Sequence, residues 1–341
     1  MKVFIRADGG RSIGMGHVMR MLALASEFRK ENEVFFLCKN NESGKYEAGI
    51  DTIEKNKFKV LKINDKKNIV DEIISMQNKY KADILITDSY DVNEEYFYSL
   101  KSKFKITGYV DDVNKCYMNV EFIINQNINA EKMDYSKTTS EETKLFLGPK
   151  YCMLREEFKN ACSEKVIKES VEDILLTVGG MDNVGNTIKI LNSLKTLKKR
   201  IHVVLGKAFD DSVIDNVYKI AKEYKNIYPY ENANMSELMK KCDVAVAACG
   251  STLYELCAMK VPTIGIILAD NQIEVGRMMN DKGLLSDIFY MDGFKKEEFI
   301  TSINNLIINK NLRNEIQKKQ EFIVDINGVT NLVNEIKKYA K

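Results

Sequence analysis

Histidine and proline are nearly missing from this chain, which has two of the first and three of the second among 341 residues. No window holds the ~18 to 20 uninterrupted apolar residues that span a bilayer. The N-terminus enters an apolar strand directly, without a signal-peptide pattern, so a soluble cytoplasmic protein is expected. Seven cysteines (Cys38, Cys116, Cys152, Cys162, Cys242, Cys249, Cys257) lack CxxC spacing, which argues against structural zinc and for reduced thiols. A dominant charge is missing too. With 51 basic and 49 acidic side chains the net charge is +2, without the basic bias usual in nucleic-acid binders. Low-complexity linkers and short-period repeats are absent.

What is present reads as globular, with 45% hydrophobic and 29% charged residues. The length suits two domains of roughly 150 residues each. Apolar strand-like runs at 2–6, 33–38, 59–63, 83–87, 105–110, 122–125 and 144–147 mostly alternate with helical patterns such as 66–80 and 93–103. A second series runs through 173–178, 202–205, 226–230, 243–248 and 261–268. Alternating β and α units imply parallel sheets covered on both faces. The expected fold is therefore α/β, two doubly wound Rossmann-like domains facing a central cleft. Gly148-Pro149 marks the boundary, giving an N-terminal domain over 1–148 and a C-terminal domain over 149–341. The tail of the second, from Lys295, reads as helical and is able to pack back on the first.

Two glycine-bearing turns follow strands. The first, Arg6-Ala-Asp8-Gly-Gly-Arg-Ser-Ile-Gly14-Met-Gly16-His17-Val-Met-Arg20, places His17 at a helix N-terminus, where backbone N–H groups favour anions. It is neither a dinucleotide fingerprint nor a GxxxxGK[ST] loop. The second, Ala247-Ala-Cys-Gly250-Ser251-Thr252-Leu-Tyr-Glu255, offers hydroxyls and N–H groups to a phosphate, or serves only as a helix cap. His17 has the competing reading of a local helix-end hydrogen bonder, and His202, inside a strand, is expected to pack or satisfy a neighbour. Asp8, Asp88, Asp111 and Asp112 all follow strands and can rim a cleft, although turn or cap chemistry explains any one of them. Their spacing is no recognisable metal pattern. Cys249 and Cys257 read as small packing residues.

Arg6-x-Asp8, Ile13-Gly14-x-Gly16-His17-x-x-Arg20, Gly148-Pro-x-Tyr151-x-x-Leu154-Arg155-x-Glu157-Phe158, Gly179-Gly-x-Asp182, and Ala248-x-Gly250-Ser-Thr-Leu-x-Glu255 with Asp270-Asn271-Gln272 occur in order. Together they resemble the UDP-2,4-diacetamido-2,4,6-trideoxy-β-L-altropyranose hydrolases of pseudaminic acid biosynthesis, over nearly the whole chain. The resemblance implies a glycosyltransferase-B architecture, with the nucleotide in the second domain and the catalytic loop in the first. It implies that Gly250, Ser251 and Thr252 bind the diphosphate, that Glu255 holds the ribose, and that the backbone of 232–235, ending at Met235, meets uracil. Asn271 and Gln272 would face the sugar, and Arg155 would approach the substrate. Cys249 departs from the family's small residue, and Gly9 and Gly10 carry no specific expected contact.

The implied chemistry is water attack at the anomeric carbon with inversion. His17 is the expected general base, since an imidazole of ordinary pKa, about 6.5, accepts a proton near neutrality. Asp8 and Tyr90 are expected to orient water, histidine or sugar amides, while Gly14 and Gly16 lend backbone groups to the substrate. No cofactor or metal is required, and the expected partners are a UDP-sugar and water, with no nucleic acid and no membrane span. Three rivals share these features: a UDP-sugar-dependent glycosyltransferase, a hydrolysing UDP-N-acetylhexosamine 2-epimerase, and a non-enzymatic nucleotide-sugar sensor.

Overall fold

The computed structural model describes residues 1–10, 13–161 and 165–339; Arg11, Ser12 and Cys162 lie outside the described residues. The chain divides into two compact units, Met1–Arg155 with Asn327–Lys341, and Glu156–Ile326.

Unit 1 is a seven-stranded sheet of β1 (Lys2–Ala7), β2 (Glu33–Asn40), β3 (Lys59–Asn64), β4 (Ile84–Asp88), β5 (Ile106–Val110), β6 (Phe122–Asn125) and β7 (Lys144–Leu147). All neighbours are parallel, in the order β3-β2-β1-β4-β5-β6-β7. Val3, Phe4 and Ile5 are fully buried, as expected of a strand covered on both faces. Helices α1 (Gly16–Phe28), α2 (Glu47–Lys55), α3 (Ile69–Tyr80) and α4 (Glu94–Lys101) supply the cover. Asn68 and Asn93 cap α3 and α4, accepting from backbone N–H groups of the first turn.

Unit 2 holds β8 (Asp173–Thr177), β9 (Arg200–Leu205), β10 (Ile227–Glu231), β11 (Val244–Ala248), β12 (Thr263–Ile267) and β13 (Asp287–Tyr290), also all parallel, in the order β10-β9-β8-β11-β12-β13. Its helices are α5 (Glu156–Ala161), α6 (Asn186–Leu194), α7 (Asp211–Glu223), α8 (Met235–Lys241), α9 (Thr252–Ala258), α10 (Ile273–Asp281), α11 (Lys296–Ile308) and α12 (Lys310–Gln320). The last helix, α13 (Gly328–Tyr339), belongs to unit 1, where it packs on α1. Strand β13 has no counterpart among the sequence-predicted strands. Its four residues form a half-exposed sheet edge, too short for a readable alternation.

Strand order reverses between β1 and β4 in unit 1 and between β8 and β11 in unit 2. Open parallel sheets bind ligands beyond the carboxyl ends of the strands at such points. Both glycine-bearing turns, after β1 and after β11, fall there.

His202 is fully buried on β9. One ring nitrogen lies 2.7 Å from Asp173 Oδ1, the other 2.9 Å from the Tyr230 hydroxyl, and Arg200 grips both Asp173 oxygens at 2.7 Å. It satisfies its neighbours within the sheet, as expected. No helix among the described residues is long and apolar enough to cross a membrane.

Candidate active site

The turn after β1 closes on itself. Gly10 and Gly14 exchange two backbone hydrogen bonds of 2.9 Å, and Gly14 adopts φ +76°, a left-handed conformation that favours glycine. Gly9 and Gly10, to which the sequence assigned no contact, pack closely against α2. A Cβ on Gly10 would fall 1.9 Å from the Lys45 carbonyl oxygen, and one on Gly49 would fall 2.5 Å from that of Gly9. The turn thus lies backbone to backbone against the start of α2. Helix α1 then begins without a side-chain cap. A Cβ on Gly16 would meet nothing within 4 Å, so packing within the chain does not demand glycine there.

His17, on the first turn of α1, is held by residues distant in sequence. Its Nδ1 lies 2.6 Å from Asp88 Oδ1, at the end of β4. Arg20 donates from Nε to Asp88 Oδ2 and from Nη2 to Asp88 Oδ1, both at 2.6 Å, and from Nη1 to Asp112 Oδ2 at 3.5 Å. The Tyr90 hydroxyl donates to the same Asp112 oxygen at 2.8 Å, and the Tyr90 ring stands edge-on to the imidazole, centroids 4.8 Å apart. The Asp88 side chain is wholly buried, whereas His17 keeps 13% of its side chain exposed and Tyr90 is half exposed.

Burial pushes the Asp88 carboxyl up, but the charges and hydrogen bonds of Arg20 and His17 outweigh it and hold Asp88 far below the ordinary carboxylate range. Burial likewise opposes the charge of Arg20, and Asp88 more than restores it. An ionised carboxylate only accepts, so the short Asp88 contact requires a proton on His17 Nδ1. In the neutral imidazole the lone pair is then on Nε2, the arrangement a general base needs.

The carboxylate that orients His17 is therefore Asp88. Asp8, expected to help orient it, accepts from the Lys39 backbone N–H at 2.7 Å, and burial pushes its carboxyl up. Beside it, Arg6 donates to the Asp91 carbonyl and carboxylate at 3.3 Å, and Lys39 pairs with the same carboxylate, anchoring the turn that carries Tyr90. Asp111 keeps the bland role of a turn carboxylate, accepting from the N–H groups of Val113 and Asn114 and from the Tyr135 hydroxyl. The readable signal for Arg20 was its spacing, three residues after His17 and hence on one helix face. No comparable local signal marks Asp88. Among the described residues no group of three His, Cys, Asp or Glu side chains is placed to hold a metal ion.

In unit 2 the two switch-point turns differ. Asp182, after β8, accepts from the N–H groups of Asn186 and Thr187 at 2.9 and 2.7 Å and so occupies the start of α6. The turn after β11 has no side-chain cap: Ser251 is exposed and its hydroxyl does not cap α9. A Cβ on Gly250 would meet nothing within 4 Å. Thr252 and Glu255 lie half-buried on α9, Asn271 is exposed, and Gln272 turns its Oε1 back to accept from the Leu268 N–H at 3.0 Å. Asn234 caps α8, accepting from the Glu237 N–H, and Met235 at the start of that helix is buried. Arg155 closes the first segment of unit 1, half-buried. Cys249 fits because two glycines make room. Its Sγ lies 2.8 and 3.0 Å from where Cβ atoms of Gly265 and Gly276 would sit. Burial pushes the thiols of Cys249 and Cys257 up to about 12, consistent with packing residues.

No family model matches the chain. An uncharacterized protein of Methanocaldococcus jannaschii, MJ1062, is 32% identical over 285 residues, covering 80% of this chain. The chain spans only 57% of that relative's length. The UDP-2,4-diacetamido-2,4,6-trideoxy-beta-L-altropyranose hydrolase of Campylobacter jejuni is 24% identical across 83% of this chain and 97% of its own. The spore coat polysaccharide biosynthesis protein SpsG of Bacillus subtilis is 26% identical across 96% of both. Among solved structures, Acinetobacter baumannii MurG superposes with a TM-score of 0.67 at 13% identity over 99% of both chains. A UDP-GlcNAc 2-epimerase from Neisseria meningitidis gives a TM-score of 0.59 at 12% identity, over 99% of this chain and 100% of its own. The fold is glycosyltransferase-B-like, built of two Rossmann-like units.

Proposed function

We propose that this protein is a nucleotide-sugar hydrolase that releases UDP from a UDP-linked diacetamido-trideoxy sugar, in the manner of the C. jejuni relative. The observation that carries the reading is the His17–Asp88 pair, 2.6 Å apart at the switch point of unit 1; with Nδ1 donating to Asp88, the neutral imidazole accepts at Nε2. Water gives its proton to Nε2 as its oxygen bonds the anomeric carbon. The bond from that carbon to the diphosphate oxygen breaks, the electron pair leaves with UDP, and the sugar is released with inverted configuration.

In this reading unit 2 binds the nucleotide. Gly250, Ser251 and Thr252 hold the diphosphate at the uncapped start of α9, Glu255 accepts from the ribose hydroxyls, and the backbone at Met235 meets uracil. Asn271, the amide N–H₂ of Gln272, and Arg155 contact the sugar or its phosphate. Tyr90 orients the attacking water beside His17, with Gly14 and Gly16 offering backbone groups and Asp8 acting from beyond the turn.

The test is incubation with UDP-2,4-diacetamido-2,4,6-trideoxy-β-L-altropyranose and no acceptor, following UDP by chromatography and the sugar by NMR. Equal amounts of UDP and unaltered reducing sugar, first released as the inverted anomer, support hydrolysis. A sugar changed at C2 supports epimerisation. Substrate that turns over only with an added acceptor hydroxyl supports glycosyl transfer, the second reading, which the likeness to a polysaccharide biosynthesis protein keeps in view.

A further inference from the structure

One cation serves two carboxylates in unit 1, and through them both sides of His17. Starting from the imidazole, the chain of contacts runs to Asp88 at 2.6 Å, to Arg20 at 2.6 Å, to Asp112 at 3.5 Å, to Tyr90 at 2.8 Å, and back to the imidazole by the edge-on ring contact. Arg20 sits three residues along α1 from His17, so helix geometry fixes their separation.

Arg20 Nη2 also comes within 3.2 Å of His17 Nδ1. A guanidinium has donors and no acceptor. Both nitrogens are aimed at Asp88 Oδ1, 2.6 Å from each. The hydrogen-bond scheme that satisfies all three atoms has Arg20 and His17 Nδ1 both donating, which in the neutral imidazole leaves the lone pair on Nε2.

We propose that Arg20 is a positioning residue: by gripping both oxygens of Asp88 it fixes that carboxylate for Nδ1, and so decides which nitrogen of His17 carries the proton. The groups facing this pair are Arg20 from α1, Tyr90 after β4, Tyr109 on β5, and Asp111 and Asp112 after β5. Without Arg20, a fully buried carboxylate faces the imidazole with its cation gone. Either His17 keeps a second proton as counter-charge, or Asp88 takes a proton and donates it to Nδ1. Both outcomes put hydrogen on Nε2, where a base needs its lone pair.

The proposal rests on His17 as base for its consequence in catalysis, but the proton's place is measurable without substrate. The chain has two histidines, so nitrogen NMR of the imidazoles reads His17 directly, with assignment from His17→Asn and His202 as an internal reporter of the fold. At neutral pH the wild-type His17 is expected to be protonated on Nδ1 alone. In Arg20→Gln, Nε2 becomes protonated while the His202 signals stay in place. With the UDP-diacetamido sugar, kcat falls by on the order of 100-fold with KM little changed, and the acidic limb of the pH profile moves to higher pH.

Arg20→Lys, which keeps the charge but not the two-pronged fork, is expected to populate both tautomers and recover part of kcat. If Arg20→Gln disturbs the His202 signals, Arg20→Lys decides alone. A His17 still protonated only on Nδ1 in the deciding variant overturns the proposal. A shifted proton in a protein whose wild type hydrolyses no UDP-sugar leaves the role of Arg20 standing and removes the hydrolase reading.

Discussion

His17 and Asp88 meet across the point where the strand order of unit 1 reverses. Ala7 pairs with Asp88 in the β1–β4 register, so the last residue of β4 lies level with the end of β1, and the turn from β1 brings His17 back over it within 2.6 Å. The carboxylate is wholly buried and the imidazole is partly exposed, so the pair has one inward end and one reactive end.

Replacing His17 with asparagine separates chemistry from binding. Turnover of the UDP-diacetamido sugar is expected to fall roughly 100- to 10,000-fold, the usual contribution of a positioned general base. Affinity for UDP, measured by calorimetry, should stay within about two- to threefold, since in the proposed reading the nucleotide is held by unit 2. Near-wild-type hydrolysis by a folded His17→Asn protein would remove the base from the mechanism.

Asp88→Asn tests the partner. The amide N–H₂ can donate to Nδ1, which puts the imidazole proton on Nε2, so kcat should drop about as far as in His17→Asn with KM nearly unchanged. Urea unfolding should also show a loss of about 3 to 5 kcal/mol, because the buried Arg20 charge loses its ionised partner. Equal stability of the two proteins would mean that the ion pair contributes nothing to the fold.

Two glycines predict opposite phenotypes. At Gly250 a Cβ meets open space and φ is not positive, so Gly250→Ala should melt at the wild-type temperature yet bind UDP at least tenfold more weakly, about 1.4 kcal/mol. Unchanged UDP affinity would take the diphosphate away from this turn. At Gly10 the Cβ would overlap the Lys45 carbonyl, so Gly10→Ala should lose about 1 to 3 kcal/mol of stability in urea titrations.

Acid should weaken unit 2 in two stages. Burial holds the His202 imidazole below its ordinary value, so the unfolded chain takes up that proton first and stability declines as pH falls below about 6.5. Asp173 is pushed down to about 2: burial opposes this, and the hydrogen bonds and charges of Arg200 and His202 prevail. Its contribution is full above the unfolded value of about 3.9 and disappears as pH falls through about 2. Chemical denaturation from about pH 1.5 to 8 measures both stages, and His202→Gln should flatten the upper one. A slope near pH 6 that survives this substitution would assign it to another group.

Much of this protein is determined locally. Runs such as Val3–Ile5 and Val244–Ala248 are apolar without alternation and short enough for strands, so every sequence-predicted strand is present within a few residues of its expected ends. The place of His17 at the start of α1, and of Gly250 and Ser251 before α9, follows from the same local grammar of strand, glycine turn and apolar helix. Asp111 and Asp182 also behave as residues reading their own neighbourhood, accepting from N–H groups a few positions on. Only the tertiary structure decided that Asp88, among several strand-end carboxylates, orients His17. The two are 71 residues apart, and nothing local distinguishes Asp88 from Asp8 or Asp111. The choice rests on β4 pairing beside β1, a register set by interstrand hydrogen bonds and two-sided burial, which no window of sequence contains.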